Sequence, residues 1–568
     1  MNKWIQPGVT LLFVALFLVL LSGANANAQN RTVADNRFEI SRQLDIFGSI
    51  VKEVEMFYVD SLDMEKTVRR GIDAMLEGLD PYTEYIPEKE MDALRFITTG
   101  EYAGVGAYIA RRPEGVVITE IIENMPAMTA GLRAGDCFIS IDTVNVQNES
   151  SERVSSLLKG VPNSKLKVKV SRKGEKKPIS FEIIRKQIVV NQVVYYGVRN
   201  DDVGYVYLKS FTDKSAAEFK SAFDELKTKH NIKSLILDLR NNGGGLLESA
   251  VQIVNMFVPK GREIVSTKGK IPQWDRTYRT PAEPVDTVIP IAVLINGNSA
   301  SAAEIVSGAL QDLDRAVLVG QRSFGKGLVQ APRELPYDGS LKVTISKYHI
   351  PSGRCIQQID YAHRGADGSA ASIPDSLTSV FYTANGRPVR DGGGITPDFV
   401  VGDQQTPTII YYLLQDLNVL FDYVTDYVQK HPTIPEPEKF EVTDDDFEAL
   451  KALAKEKNFT YDRQSVKILK NLKDAATFEG YTSEADSTTF RELEARLTPN
   501  IDKDFARFET TIKQLMASEI TKRYYFERGA MIQNLKDDAA LNKAVEILST
   551  PNMVASTLKL MPAPLSAR

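Results

Sequence analysis

The sequence predicts a multidomain α/β protein. A helical N-terminal segment, a β-rich domain, an α/β core and a helical C-terminal extension follow one another. Three observations support this prediction. The chain has 568 residues, more than one hydrophobic core organises. Strand and helix patterns alternate over residues 203–400, the order of a sheet with flanking helices. Short strands with glycine turns precede this region, and charged helical sequence follows it.

The first 28 residues have the pattern of a secretory signal peptide. Lys3 precedes an apolar run over residues 9–21, and Ala26-Asn27-Ala28 supplies small residues for cleavage. The run is shorter than the roughly 20 residues that a membrane span needs. We therefore expect an exported, periplasmic protein, with an uncleaved N-terminal membrane anchor as the alternative.

A helical region is predicted over residues 37–98. Apolar residues recur at steps of three and four from Ile40 to Val54, and again from Met64 to Leu79. Asp80-Pro81 ends the second helix, because the residue before a proline is pushed out of the α region.

A β-rich domain is predicted over residues 99–187. A glycine turn at its start runs into a strand, and the small-residue segment from Pro126 to Asp136 follows it. These two elements resemble a PDZ domain, whose glycine loop offers backbone N–H groups to the carboxylate of a peptide C-terminus. The alternative is a β-rich domain that binds nothing. The residues expected to bind the peptide are Gly104, Val105, Gly106 and Ala107.

Net charge and the Cys and His residues bear on the partners and cofactors to be expected. The balance of 69 basic and 74 acidic residues gives a net charge of −5, which does not indicate nucleic acid as a partner. Cys137 and Cys355 are expected to be isolated thiols, with a disulfide between them as the alternative. No group of Cys and His has the spacing of metal ligands, so neither a metal nor another cofactor is expected.

The core, residues 188–430, contains a serine at the start of a helix. A strand pattern over residues 289–295 leads into Asn298–Glu304, and Ile305 begins the apolar spacing of a helix. Ser301 thus falls where unpaired N–H groups and the helix dipole favour a developing oxyanion. The alternative is a helix N-cap, with Glu304 completing a capping box.

A lysine in a glycine turn lies 25 residues further on. Lys326 is flanked by Gly325 and Gly327, and a neutral amine there can take the proton of a serine hydroxyl. Gln330, on the strand that leaves the turn, can hold the amine in place. The alternatives are a solvated surface lysine and an ordinary polar strand residue.

A glycine run at Asp238–Gly245 follows an apolar strand and opens a helix. Glycines let backbone N–H groups approach a ligand closely, but the run lacks the lysine and Ser/Thr of a phosphate-binding loop. An oxyanion hole that pairs one of these N–H groups with that of Ala302 fits better. None of the four histidines is placed beside a serine turn, so a histidine triad is not expected.

Together these motifs resemble the carboxyl-terminal processing, or tail-specific, proteases. The resemblance covers roughly residues 40–400 and implies a protease core of the ClpP/crotonase-like type. Further matching motifs are Tyr58-Val59-Asp60, Leu79-Asp80-Pro81, Ser323–Gln330, Pro351-Ser352-Gly353-Arg354 and Gly392–Asp398.

The resemblance also implies roles for single residues. Ser301, rather than Ser299, matches the nucleophile of the family. Lys326 matches the general base, and Gln330 matches the glutamine that orients this lysine.

Two further positions follow from the same resemblance. Oxyanion N–H groups are expected from Ala302 and from the glycine run, where we favour Gly244 and leave Gly243 open. Asp312 matches a position with a role in some relatives, but we interpret it as an aspartate on the helix surface.

The region over residues 438–568 is charged and mostly helical, and it follows a proline cluster at residues 432–437. We expect its helices to make a homo-oligomer, with an intramolecular cap as the alternative. A regulatory adaptor is a further expected partner.

The sequence therefore predicts an exported serine endopeptidase that cleaves protein substrates with accessible C-termini near those ends. The alternative from another class is a catalytically silent PDZ scaffold that binds protein tails. An acyl-CoA enzyme with a related fold is disfavoured by the export signal and the peptide-binding domain.

Overall fold

The computed structural model describes residues 37–91, 95, 99–402, 406–415, 419–481 and 483–559. The chain divides into two compact units, one ending at Tyr85 and the other beginning at Ile86. The signal segment expected over residues 1–28 lies outside the described residues. Within the described ranges, no helix has the length and apolar character needed to cross a membrane.

The described part of the first unit, from residue 37, contains two helices, α1 (37–57) and α2 (Met64–Glu77). Asp63 caps α2 by accepting a hydrogen bond from the backbone. The apolar periodicity that predicts α1 is present on the helix, but Ile40 and Leu44 on this face are exposed. A short strand, β1 (Glu84–Ile86), contains the boundary between the units.

The β-rich domain is built from eight strands and two helices. Their bounds are β2 (Glu101–Gly104), β3 (Ala107–Arg112), β4 (Gly115–Ile121), α3 (Pro126–Ala130), β5 (Cys137–Ile141), β6 (Val144–Asn145), α4 (Ser151–Leu158), β7 (Lys165–Ser171), β8 (Ile179–Ile184) and β9 (Lys186–Val189). The antiparallel sheet has the order β3-β4-β5-β7-β8, with β6 beside β5, so β3 is an edge strand. Strand β2 pairs with β9. Phe138 and Leu166 are fully buried between the sheet and the helices.

The core contains a six-stranded sheet. Its elements are β10 (Val193–Arg199), β11 (Val203–Leu208), α5 (Ser215–His230), β12 (Ser234–Asp238), α6 (Leu247–Asn255), β15 (Ile291–Ile295), α7 (Ala302–Asp312), β16 (Val317–Gly320) and β23 (Phe399–Val400). The strands pair in the order β10-β11-β12-β15-β16-β23. Only β10 is antiparallel to its neighbour. Every residue of β12 and β15 is buried, as expected for central strands that are covered on both faces.

The two faces of this sheet are covered by different parts of the chain. Helices α5, α6 and α7 pack on one face. A late helix, α15 (Ala539–Ser549), packs on the other, where its Leu541 and Ala544 join the cluster of Ile236 and Leu294. The C-terminal extension therefore caps the core of its own chain.

The core also contains a second, antiparallel sheet. Its strands β13 (Glu263–Gly269), β14 (Arg276–Arg279), β17 (Leu328–Glu334) and β18 (Ser340–His349) pair in the order β14-β13-β18-β17. Two hairpins follow, β19 (Ile359–Arg364) with β20 (Ala370–Ser372) and β21 (Val380–Tyr382) with β22 (Pro388–Arg390).

The C-terminal region is helical. Its other helices are α8 (Thr408–Gln415), α9 (Leu420–Lys430), α10 (Asp444–Glu456), α11 (Gln464–Phe478), α12 (Glu484–Leu497), α13 (Ile501–Arg507), α14 (Glu509–Asn534) and α16 (Met553–Thr557). Ile410 and Leu420 share a hydrophobic cluster with Phe447 and Phe505. The boundary that the sequence places at residue 430 thus falls inside one cluster, because α8 and α9 pack with the later helices.

Candidate active site

Ser301 is the residue at the start of α7, directly after the turn that follows β15. Its backbone has φ +56° and ψ −116°, a conformation that costs a residue with a side chain on the order of 1–3 kcal/mol. The first N–H groups of α7 have no acceptor inside the helix. The N–H groups of Ala303 and Glu304 donate to the carbonyls of Ala300 and Ser301, so among the first three residues of α7 in the described part of the chain only Ala302 has an N–H without an acceptor. The strained turn therefore presents a partly buried hydroxyl beside one unpaired amide.

Ser299, the neighbouring serine, has a structural place. It is fully buried, and its Oγ donates to the carbonyl of Leu239 at 2.7 Å. The same oxygen accepts from the N–H of Asn296 at 3.0 Å. A hydroxyl committed in this way joins the turn to the end of β12 and is not available to a substrate.

Glu304 connects the serine turn to the lysine loop. Its Oε2 accepts the backbone N–H groups of Ser301 at 2.8 Å and Lys326 at 2.9 Å. Its Oε1 accepts the N–H of Gly325 at 2.7 Å and the hydroxyl of Ser323. The bond to Ser301 is the one expected of a capping box, and the other three bring the lysine loop to the same carboxylate.

Glu304 is completely buried. Burial raises the pKa of its carboxyl from 4.5 to about 7, against the opposing hydrogen bonds from Ser323, Lys326, Gly325 and Ser301. The sequence contains one signal of this role, a glutamate three residues after the serine in the mostly apolar first turns of the helix. That signal predicts the cap and not the bonds to the loop.

The glycines on either side of Lys326 are required by close packing. Gly325 has φ +83°, and a Cβ at this residue would be 2.6 Å from the Cβ of Gln358. A Cβ at Gly327 would be 2.9 Å from the backbone nitrogen of Gln357. The loop is therefore fixed against Gln357 and Gln358, the segment before β19, and the partly exposed Lys326 lies at its centre.

Gln330 lies on β17, the strand that leaves the loop. Its Nε2 donates to Oγ1 of Thr344 on the neighbouring β18 at 3.1 Å. An amide fixed by its nitrogen presents its carbonyl oxygen as the atom that can accept from an amine.

The glycine run passes directly beside Ser301. Gly244 has φ +103°, and a Cβ there would be 2.7 Å from Cβ of Ser301 and 3.0 Å from the nitrogen of Ala302. The N–H of Gly244, however, donates to Oδ1 of Asn242 at 2.8 Å. The N–H of Gly244, favoured above as an oxyanion donor, is therefore already paired in this structure. In the described part of the chain the N–H of Gly243 has no acceptor.

Asn242 is a residue that the sequence analysis missed. It is fully buried, and its Nδ2 donates to the carbonyl of Leu208 at 2.8 Å. Its own carbonyl accepts the N–H of Ala300 at 2.9 Å. Asn242 thus ties together the glycine run, the end of β11 and the serine turn. No local pattern distinguishes it from Asn241.

Tyr348 also contacts the serine turn. Its hydroxyl donates to the carbonyl of Ser301 at 3.2 Å, and the side chain is almost completely buried. Burial raises the pKa of Tyr348 well above its ordinary value, so it stays a neutral donor. The hydrogen bond fixes the strained peptide of Ser301.

Asp312 is not on the helix surface. It is buried and accepts from Arg354 at 2.8 Å, and its other oxygen accepts the N–H of Ser352 at 3.0 Å. The interpretation as a surface aspartate is therefore wrong. Helical spacing does not show the partner, because Arg354 lies 42 residues further along the chain. A second ion pair joins Arg387 to Asp398. Asp398 also accepts from Nε2 of Gln311 on α7 at 3.2 Å, so two of the matching motifs anchor the end of this helix.

The expected peptide-binding loop joins β2 to the edge strand β3. Gly106 has φ +78°, and a Cβ there would overlap the Cβ of Met125. Within this loop, the carbonyls of Val105 and Gly106 accept hydrogen bonds from the β-rich domain itself. Ala107 begins β3, whose free edge offers backbone groups to an added strand.

Cys137 and Cys355 are both free thiols. Among the residues that the structure describes, no group of His, Cys, Asp and Glu is arranged to bind a metal ion. Burial raises the pKa of both thiols, which keeps them protonated.

Three parts of the chain match protein families. Residues 202–363 match "Peptidase family S41" and residues 117–172 match "PDZ domain". Residues 409–548 match "Probable PDZ-protease, C-terminal helical domain".

Two individual relatives are named as proteases. A carboxy-terminal-processing protease of Bartonella bacilliformis is 34% identical over 344 residues, which are 60% of this chain and 79% of that protein. A probable CtpA-like serine protease of Staphylococcus aureus is 31% identical over 316 residues, 55% of this chain and 62% of the relative. Among solved structures, the photosystem II D1 C-terminal processing protease is similar at 27% identity and a TM-score of 0.34, covering 63% of this chain and 87% of that one.

Proposed function

The chain belongs to the carboxy-terminal-processing proteases of peptidase family S41 and is a serine peptidase, and we propose that it cleaves protein substrates near their C-termini by a Ser/Lys mechanism. The observation that carries this proposal is the shared Glu304 carboxylate. It accepts N–H groups from Ser301 and Lys326 and so connects the backbones of the two residues through one atom.

The proposed reaction begins with proton transfer. The neutral amine of Lys326 takes the proton of the Ser301 hydroxyl while Oγ attacks the carbonyl carbon of the scissile bond. The resulting oxyanion is stabilised by N–H groups of Ala302 and Gly243 and by the positive end of α7. Collapse releases the amine product, which takes the proton from the Lys326 ammonium. Water, activated by the same amine, then hydrolyses the acyl-enzyme.

The PDZ domain supports the choice of substrate class. A substrate tail adds to the free edge of β3, and its terminal carboxylate binds at the loop from Gly104 to Ala107. This arrangement selects proteins whose C-termini are accessible. Isothermal titration of the Ser301→Ala variant with a peptide and with its C-terminal amide tests this step. Equal affinity for both contradicts it.

The catalytic step is tested with a fluorophosphonate probe and a tagged unfolded substrate. We expect wild type to be labelled and to release C-terminal fragments. Ser301→Ala should do neither, and Lys326→Ala should lose turnover. Labelling of Ser301→Ala, or wild-type turnover in Lys326→Ala, contradicts the Ser/Lys mechanism. A peptide-binding protein that is never labelled would instead support the scaffold alternative.

Export is proposed from the N-terminal sequence alone. Cleavage after Ala28 would produce a mature chain beginning at Gln29. N-terminal sequencing of protein from the periplasmic fraction tests this. A full-length chain in the membrane fraction would support the uncleaved anchor.

Self-association through the C-terminal helices is likewise a proposal, and binding of an adaptor is another. Helix α15 is already used inside the chain, so a homo-oligomer would use other helices of the extension. Light scattering of the purified protein tests self-association. Co-purification of a partner with the Ser301→Ala variant tests the adaptor.

A further inference from the structure

The glycine run beside Ser301 is also contacted by the C-terminal extension. Arg240, in this run, donates to both oxygens of Asp238. Its third nitrogen, Nη1, forms an ion pair at 2.6 Å with Asp538, which lies about 300 residues later in the sequence. The side chains of Arg240 and Asp538 are 18% and 13% exposed, so solvent screens this pair only in part.

Asp538 uses its two oxygens for different partners. Oδ1 accepts the N–H of Leu541 at 2.9 Å and caps α15, whereas Oδ2 contacts Arg240. Burial opposes the charge of Arg240, but Asp238 and Asp538 raise the pKa of its guanidinium above the ordinary value. The N-cap that starts the covering helix thus also fixes a residue two positions before Asn242.

The extension makes a second contact near the glycine run, through Lys209. Glu527 on α14 forms an ion pair at 2.5 Å with Lys209. The next residue, Ser210, donates its hydroxyl to the carbonyl of Gly244 at 2.9 Å, and Phe211 donates its N–H to the same carbonyl. The extension therefore contacts Arg240, before the N–H of Gly243 in the chain, and Lys209, next to the segment that binds the carbonyl of Gly244 after it.

We propose that Asp538 and Glu527 are positioning residues for catalysis, through which the C-terminal extension holds the oxyanion-binding peptides beside Ser301. The proposal rests on the proposed function, since it needs the glycine run to supply an oxyanion donor. A misplaced donor weakens transition-state stabilisation more than substrate binding. Loss of either carboxylate should therefore lower kcat and leave KM nearly unchanged.

Asp538→Asn separates the two roles of Asp538. Asparagine is as good an N-cap as aspartate, but it cannot pair with Arg240. We expect kcat and the rate of fluorophosphonate labelling to fall about tenfold, with KM and Tm close to wild type. Asp538→Glu keeps the charge and is a poorer cap. It should lower Tm and retain more kcat than Asp538→Asn.

Asp537→Asn is the matched control, because it removes the same charge one residue earlier from an exposed side chain. Its kcat should equal that of wild type. Glu527→Gln should lower kcat a few-fold. Should Asp538→Asn fold poorly, Asp538→Ser provides a second variant that keeps a capping side chain.

Two results would overturn the proposal. One is a kcat for Asp538→Asn equal to that of Asp537→Asn. The other is a loss of kcat that follows Tm across Asn, Ser and Glu at this position, which indicates a structural role only. Ser301→Ala distinguishes failure of the proposed function from failure of the positioning role. If it retains turnover the proposed function fails, and if it is inactive while Asp538→Asn is fully active only the positioning role fails.

Discussion

Ser301 and Lys326 donate their backbone N–H groups to the same oxygen atom, Oε2 of Glu304, at 2.8 and 2.9 Å. The turn that carries the hydroxyl and the loop that carries the amine therefore cannot shift independently. A single buried carboxylate sets their relative position, and the catalytic geometry depends on a residue that need not touch the substrate.

Replacing this carboxylate by an amide should disable the site. Glu304→Gln brings an NH₂ group against N–H and O–H donors, so at least one buried donor loses its acceptor at a cost of about 1–3 kcal/mol. We expect kcat to fall about 10- to 100-fold, with a lower Tm. Steady-state kinetics and thermal melting measure both. Glu456→Gln, on an exposed position of α10, is the control. Unchanged kcat would mean that the two segments are fixed by other contacts.

Stability should depend on pH through Glu304. Its pKa is raised from 4.5 to about 7 in the folded protein, so the folded state binds the proton more tightly than the unfolded state does. This contribution is fully present below pH 4.5 and is lost as pH rises to 7, by about 3 kcal/mol at most. The stability of wild type relative to Glu304→Gln should therefore decrease over this range in denaturant titrations. An increase would show that the hydrogen bonds keep the carboxylate ionised.

A methyl group at Gly244 should abolish activity. The added Cβ would be 2.7 Å from Cβ of Ser301 and 2.8 Å from the carbonyl oxygen of Ala300, so the serine turn must move. We expect kcat/KM of Gly244→Ala to fall at least about 100-fold. Gly297→Ala is the control, since nothing lies within 4 Å of the Cβ position there. Equal activity of the two variants would contradict the close approach.

The buried ion pair of Asp312 and Arg354 should matter for stability. Asp312→Asn leaves the guanidinium buried without its charged partner, at a cost of about 3 kcal/mol. Replacing both residues, as in Asp312→Asn with Arg354→Met, should recover part of this loss. Thermal melting measures the effect, with Asp275→Asn on the surface as the control. A melting temperature like that of the control would place the charge in solvent, as the sequence suggested.

The covering role of α15 can be separated from self-association. Leu541→Asp places a charge between α15 and the sheet and should lower Tm strongly, because a buried unpaired charge costs several kcal/mol. Asn542→Asp, exposed on the same helix, should have little effect. Light scattering should show the same mass for both variants. A changed mass with unchanged Tm would place α15 in an interface between subunits.

The sequence predicted the parts of the molecule whose causes are local. The small-residue turn before Ile305 indicates a helix start, and the glycines around Lys326 indicate a tight loop. The order of strands and helices correctly indicated an α/β core. The first two follow from residues within a few positions of one another, and the third follows from the order of such local patterns along the chain.

What the sequence did not reveal depends on distant partners. The surface position predicted for Asp312 is wrong because helical spacing does not show its partner Arg354. Asn242 has no local sequence feature that distinguishes it from Asn241. The prolines at residues 432–437 suggested a linker, although helices on both sides of them share one core. The sequence pattern of an amphipathic helix such as α15 indicates an apolar face, but it does not indicate which part of the protein that face covers.

The covering helix has a consequence for how the protein is made. Residues 539–549 follow the whole protease core in the chain, so during synthesis the core sheet is complete long before the helix that covers its second face exists. Until then Ile236 and Leu294 border an open apolar surface. Synthesis therefore supplies the covering helix only after every catalytic residue has been made, and a chain interrupted before residue 539 lacks this cover.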